Sequence, residues 1–128
     1  MIDFQNSLFV QLRSVSNAEF SDMATPLLIP GEQILHTFKS RHEGVIFTNK
    51  RILAVNIHGL GGKKTAFTSL PYSKIQAYTV EIAGPLSPEV ELDLWFDTMG
   101  RVHFAFDANT DAAALCRTIA SYTLATTE

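Results

Sequence analysis

The sequence lacks the features that mark several large classes of protein. It contains one cysteine, so no disulfide can form within the chain, which favours a reducing compartment. No apolar run approaches the roughly 20 residues that a membrane-spanning helix needs. Arg13 is the only lysine or arginine before Lys39, and this lack of a basic leader argues against a signal peptide. We therefore expect a soluble, cytoplasmic protein.

A large net charge is also missing. The formal charge of −3 makes nucleic acid an unexpected partner. The charge is unevenly placed, however: residues 39–74 hold seven cations and one acid, whereas residues 81–111 hold seven acids and one cation. A molecule with a basic side and an acidic side could meet copies of itself head to tail, although two ordinary solvated faces would give the same pattern.

Patterns of nucleotide binding and catalysis are absent as well. The glycine loop Gly59–Gly62 has Ile57 where a P-loop needs its first glycine and Lys64 where it needs serine or threonine. Cys116 has no nearby histidine, and no zinc-site spacing occurs among the four histidines, His36, His42, His58 and His103. We predict no enzymatic activity, no cofactor and no metal.

What the sequence does contain is a β-patterned core. Hydrophobic residues make up 46% of the chain and include nine phenylalanines. Period-two alternation and turn residues predict seven strands, over about residues 33–41, 44–48, 51–57, 63–70, 74–82, 89–97 and 101–106. A helix capped by Asn109 or Thr110 is predicted over about residues 110–125, with an apolar face of Ala112, Leu115, Ile119 and Tyr122.

The first 30 residues are predicted to be a helical extension of a domain that spans residues 31–128. Phe4, Leu8, Leu12 and Val15 share one helical stripe over residues 3–15. Capping-box spacing at Ser16–Glu19 predicts the start of a second helix. We expect this extension to pack on the domain or on a neighbouring subunit.

Four motifs, taken in order, resemble the short bacterial pleckstrin-homology (PH)-like domain family: Phe47–Leu53, Gly59–Lys64, Leu70–Ile75 and Val80–Gly84. The resemblance covers about residues 17–125. It implies a mainly β fold with α: a seven-stranded bent antiparallel sheet, or partly open β-barrel, with a C-terminal helix as cap and an N-terminal helical segment. It also implies self-assembly, because such domains tend to form rings of identical subunits. Their molecular function is largely unassigned.

The cations carry one functional hypothesis. In a meander the first and third connections lie at one end of the sheet, so six basic residues are predicted to converge there: Lys39, Arg41, His42, His58, Lys63 and Lys64. Lys50 and Arg51 should lie at the other end. We expect the convergent residues to recruit an acidic protein partner. The alternative is weak binding of anionic lipid or a phosphate ligand at the membrane surface, although Glu43 in the turn departs from phosphoinositide-binding PH domains.

Trp95 carries the other hypothesis. Alternation places it on the acidic outer face of its strand, together with Glu91 and Asp93. A large aromatic side chain there is covered either by the N-terminal helix or by another subunit. We favour a subunit interface, so the predicted function is a non-enzymatic interaction or scaffold module that forms a homo-oligomer.

Overall fold

The structure, a computed structural model, describes residues 9–59, 61, 64–82, 84–86 and 88–124. Its strands are β1 (Phe9–Val15), β2 (Ile34–Lys39), β3 (Glu43–Thr48), β4 (Arg51–His58), β5 (Lys64–Pro71), β6 (Ile75–Glu81), β7 (Val90–Phe96) and β8 (Gly100–Phe106). Its α-helices are α1 (Ser21–Ala24) and α2 (Ala112–Thr123). The strands form one sheet in the order β5-β4-β3-β2-β1-β8-β7-β6. The seven predicted strands and the C-terminal helix agree with β2–β8 and α2 to within about two residues at each end.

The N-terminal prediction is wrong in the part that the structure describes. Residues Phe9–Val15 form a strand instead of the helix expected over residues 3–15, of which residues 3–8 lie outside the described residues. This strand, β1, lies inside the sheet, antiparallel to β2 and parallel to β8. Within the described residues the sheet therefore has eight strands, and the chain before residue 31 supplies one of its inner strands instead of forming a separate extension.

A β-bulge explains why the apolar residues of β1 have the spacing expected of a helix. Phe9 pairs with Phe104 and Leu12 pairs with Phe106, so three steps along β1 match two steps along β8. Gln11, which lies between the two pairs, has a φ of 56° in the left-handed region. The extra residue turns both Phe9 and Leu12 into the core although they are three positions apart, and that spacing also fits a helix.

The main hydrophobic core lies on the inner face of the bent sheet. Apolar side chains from all eight strands and α2 meet there, and many of them are phenylalanines packed edge-on. The predicted apolar face of α2 is confirmed, because its members are buried or half-buried: Ala112, Leu115, Ile119 and Tyr122. Tyr122 stacks on Tyr72, in the turn between β5 and β6, at 5.2 Å between ring centroids.

Asp111 caps α2 in place of the predicted Asn109 or Thr110. Its side-chain carboxylate accepts a hydrogen bond from the backbone amide of Ala114 at 3.0 Å. A carboxylate at this position satisfies a free amide and also faces the positive end of the helix dipole.

A second, smaller core lies on the outer face of β3, β4 and β5. The segment of residues 20–28 crosses this face as α1 followed by a 3₁₀ turn. Phe20 and Ala24 of this segment pack on three side chains of the sheet, Ile46, Leu53 and Val55. Gly44 makes room for the aromatic ring, since a Cβ atom there would lie 2.6 Å from Phe20 Cε2. Both faces of this half of the sheet are therefore covered.

The predicted second helix is shorter than expected. The hydroxyl of Ser16 accepts from the amide of Ala18 at 3.1 Å and not from the amide of Glu19. This bond makes a turn, and α1 begins only at Ser21.

Candidate functional site

The turn between β3 and β4 is built on a buried ion pair. The side chain of Glu32 is fully buried, and its Oε2 accepts from Arg51 Nε at 2.9 Å and from Thr48 Oγ1 at 2.7 Å. Its Oε1 accepts from Arg51 Nη2 at 3.0 Å and from the Ile29 amide at 3.1 Å. Burial opposes ionisation of Glu32, but these hydrogen bonds outweigh it and hold the pKa of the carboxyl below its usual value. The guanidinium of Arg51 therefore has a structural role in this turn.

Thr48 links this ion pair to the rest of the turn. Its hydroxyl oxygen accepts from the amides of Lys50 and Arg51, each at 3.0 Å. Its carbonyl oxygen accepts from the Tyr72 hydroxyl at 2.7 Å, and burial raises the pKa of that phenol. The motif from Thr48 to Arg51 thus has a structural role.

The opposite end of the sheet carries a cluster of exposed basic residues. The Ile57 amide donates to the carbonyl oxygen of His42 at 2.8 Å, which holds the β2–β3 and β4–β5 connections side by side. His58 pairs with Lys64 across β4 and β5. Lys63 lies outside the described residues. The other four predicted residues at this end are exposed, and we call them the basic rim: Arg41, His42, His58 and Lys64.

Lys39 differs from the basic rim because its charge is already compensated. Its ammonium lies 2.8 Å from Glu19 Oε1 and 5.9 Å from the centroid of the Phe20 ring. The hydrogen bond from Lys39 holds the pKa of the Glu19 carboxyl below its usual value. Lys39 therefore anchors the covering segment of residues 20–28 and offers less charge to a ligand.

The outer face of β6, β7 and β8 is partly exposed. Trp95 lies on this face between Ala77 of β6 and Arg101 of β8, and it is 37% exposed. Neither hydrophobic cluster of the described residues includes it. The predicted neighbours Glu91 and Asp93 lie on the same face, two residues apart from each other along β7.

The acids of β7 face basic side chains of β8. Asp93 Oδ1 lies 2.8 Å from His103 Nδ1 and 3.4 Å from Arg101 Nη1. The other ring nitrogen of His103, Nε2, lies 3.6 Å from Glu91 Oε1. Glu81 of β6 pairs directly with Glu91 across the strands and has no ion-pair partner among the described residues. Of these three acids, the one without an ion-pair partner among the described residues therefore lies on the edge strand, β6.

Sequence reasoning missed Arg101 and His103 as the partners of these acids. A signal existed, because both occupy alternate positions of β8 and therefore share one face, as Glu91 and Asp93 do on β7. Glu32 gave no such signal, since its partner Arg51 is 19 positions away along the chain.

The described part of the chain holds no helix that is long and apolar enough to cross a bilayer. Within the same residues, no group of three or more histidine, cysteine or acidic side chains is placed to hold a metal ion. Cys116, on α2, is half-buried and free.

Known proteins resemble this chain in sequence and in structure. It is 34% identical over 92 residues to YjqA, an uncharacterised protein of Bacillus subtilis (strain 168), with 72% of this chain and 74% of that protein covered. A DUF1696 family protein with a pleckstrin-homology domain from Shewanella loihica PV-4 superposes with a TM-score of 0.77 at 27% identity, over 89% of this chain and 98% of that one. A pleckstrin homology domain from Shewanella amazonensis SB2B gives a TM-score of 0.66 at 28% identity, over 86% of this chain and 100% of that one.

These structures confirm the predicted PH-like fold, a mainly β sheet with a C-terminal helix. The sequence profile of the bacterial PH domain matches residues 3–123, which is almost the whole chain. The chain therefore belongs to the bacterial PH domain family.

Proposed function

We propose that this chain is a non-enzymatic interaction module that assembles with copies of itself through the outer face of β6, β7 and β8. The observation that carries the proposal is Trp95, a large aromatic side chain that is 37% exposed in the middle of a partly exposed sheet face. Aromatic side chains bury large areas and dominate the energetics of interfaces. Asp93 and Glu91 precede Trp95 on the same face of β7, and their pairing with β8 makes the face less costly to desolvate than unpaired acids would be.

The basic rim supports a second part of the proposal, the recruitment of an acidic protein partner. Arg41 and Lys64 are exposed and form no ion pair within the described residues. Their charge is therefore available to acidic groups from outside. Anionic lipid offers the same chemistry, so weak binding at a membrane surface is the alternative that an experiment has to separate.

Self-assembly is tested by replacing Trp95 with alanine and measuring mass by light scattering. We expect the wild type to exceed the 14.2 kDa of one chain and Trp95→Ala to shift towards that mass. Met23→Ala is the matched control, because Met23 is 42% exposed but lies outside this face. The mass of the Met23→Ala variant should equal that of the wild type. A wild type with the mass of one chain would refute the proposal.

The basic rim is tested with Arg41→Glu combined with Lys64→Glu. We expect this variant to bind polyglutamate at least about tenfold more weakly than the wild type, an effect of about 1.4 kcal/mol, because two attractive contacts become repulsive. Lys50→Glu combined with Lys74→Glu changes the net charge by the same amount at the other end of the sheet. This control variant should bind polyglutamate as the wild type does. Salt-sensitive pelleting with phosphatidylglycerol vesicles, without binding to polyglutamate, would instead support the lipid alternative.

A further inference from the structure

A cavity lies next to the β-bulge of β1. It is open to solvent and has a volume of about 400 Å³, within the range of small-molecule sites. We call it the β1 cavity, and six described residues line it: Gln11, Arg13, Pro88, Glu89, Asp107 and Ala108. Neither Trp95 nor any residue of the basic rim is among them, so the proposed function leaves this cavity unexplained.

The sheet holds the walls of the β1 cavity in place. The backbone amide of Asp107, directly after β8, donates to the carbonyl oxygen of Leu12 in β1 at 2.8 Å. Val90, the neighbour of Glu89, pairs with Phe106, the neighbour of Asp107. The charged side chains of the cavity therefore come from backbone that strand pairing fixes on both sides.

The bulge brings a polar side chain to the cavity. Gln11 lies in the bulge, and its φ of 56° is in the left-handed region that residues other than glycine rarely adopt. Bulges often redirect a side chain next to a functional site, and strained residues cluster at ligand sites. The side-chain amide of Gln11 can both donate and accept, and it forms no hydrogen bond within the described residues.

Two opposite charges line the cavity without meeting each other. Arg13 and Glu89 are exposed, and neither side chain forms an ion pair or a hydrogen bond within the described residues. Across β1 and β2, Arg13 pairs with another cation, Lys39, whose own partner is Glu19. A guanidinium and a carboxylate that share a cavity but lie too far apart to pair leave a gap that a ligand with both charges can bridge.

We propose that the β1 cavity binds a small zwitterion, a molecule with one carboxylate and one ammonium group such as a free amino acid or a dipeptide. Arg13 binds the carboxylate, because a guanidinium donates two parallel N–H bonds to it. Glu89 accepts from the ammonium group, and Asp107 adds a second negative charge to the same cavity. The site is complete within one chain, so it does not depend on the proposed self-assembly.

Changes in the backbone amide signals of the nuclear magnetic resonance spectrum locate such binding. Isotope-labelled wild type is titrated with the free L-amino acids and with glycylglycine, each up to about 10 mM. We expect at least one of these compounds to move the signals of Gln11, Arg13 and Ala108 and to leave that of Lys50 unchanged. The N-acetylated and C-amidated forms of that compound each lack one charge and should bind at least about tenfold more weakly.

Two variants test the residues assigned to the two charges. Arg13→Gln and Glu89→Gln should each bind the same compound at least about tenfold more weakly than the wild type. Both side chains are exposed, so neither substitution should disturb the fold. Arg41→Gln and Glu81→Gln are the matched controls, because they remove the same charges from exposed positions outside the cavity. Both controls should bind as the wild type does.

Three results would each overturn the proposal. In the first, none of the compounds moves the signals of the cavity residues. In the second, the acetylated or amidated form binds as tightly as the parent compound, which would mean that the cavity does not recognise both charges. In the third, Arg13→Gln or Glu89→Gln binds as the wild type does.

Discussion

At the scale of the residue, His36 shows how partial burial sets the charge of a side chain. Its Nε2 lies 3.0 Å from Thr118 Oγ1, and its ring meets Phe47 edge-on at 6.2 Å between centroids. Burial lowers the pKa of His36, and the charge of Asp111 raises it by less. The neutral imidazole is therefore the form that the fold favours.

This preference makes stability depend on pH. Because the unfolded chain takes up the proton of His36 more readily, the stability that the neutral ring contributes should fall as the pH drops below about 6.5 towards the pKa in the folded state. We expect His36→Gln to lose less stability than the wild type between about pH 8 and about pH 5.5. Urea unfolding at both pH values measures this difference. Equal losses in the two proteins would contradict the prediction.

At the scale of the element, the covering segment of residues 20–28 depends on one glycine of the sheet. Gly44→Ala should push the Phe20 ring away from β3, since the new Cβ would lie 2.6 Å from Phe20 Cε2. Overpacking of this kind costs about 1–3 kcal/mol. We expect the free energy of unfolding to fall by that amount, as measured by chemical denaturation.

Gly84 provides the control for this substitution. Nothing lies within 4 Å of a Cβ built there, so Gly84→Ala should change the free energy of unfolding little. Similar destabilisation by both substitutions would show that the Phe20 ring is not the cause.

The elements also show where prediction from sequence succeeds. β7 was predictable because the strict alternation of Leu92 and Leu94 with acids fits a strand with one buried face and does not fit a helix. β1 was not, because the bulge at Gln11 places Phe9 and Leu12 three residues apart, and a pattern read without the partner strand cannot show an inserted residue.

At the scale of the whole molecule, the limits of prediction concern partners that are distant in sequence. The sequence correctly grouped His42 and His58 at one end, because neighbouring hairpins fix which connections share an end. It gave no sign that Glu19 would neutralise Lys39, since that ion pair depends on how the covering segment crosses the sheet. Site residues on consecutive strands were therefore more predictable than those that pair across the fold.

The parallel pairing of β1 with β8 has a consequence for synthesis of the protein on the ribosome. Phe9 pairs with Phe104, so the sheet cannot be completed until β8 has emerged, about 95 residues after β1. Until then, the edge of β1 that pairs with β8 in the finished sheet has no native partner. That edge is open to pairing with other strands, including those of neighbouring nascent chains. Emergence of β8, and not the emergence of any one hairpin, is therefore the moment at which the sheet can close.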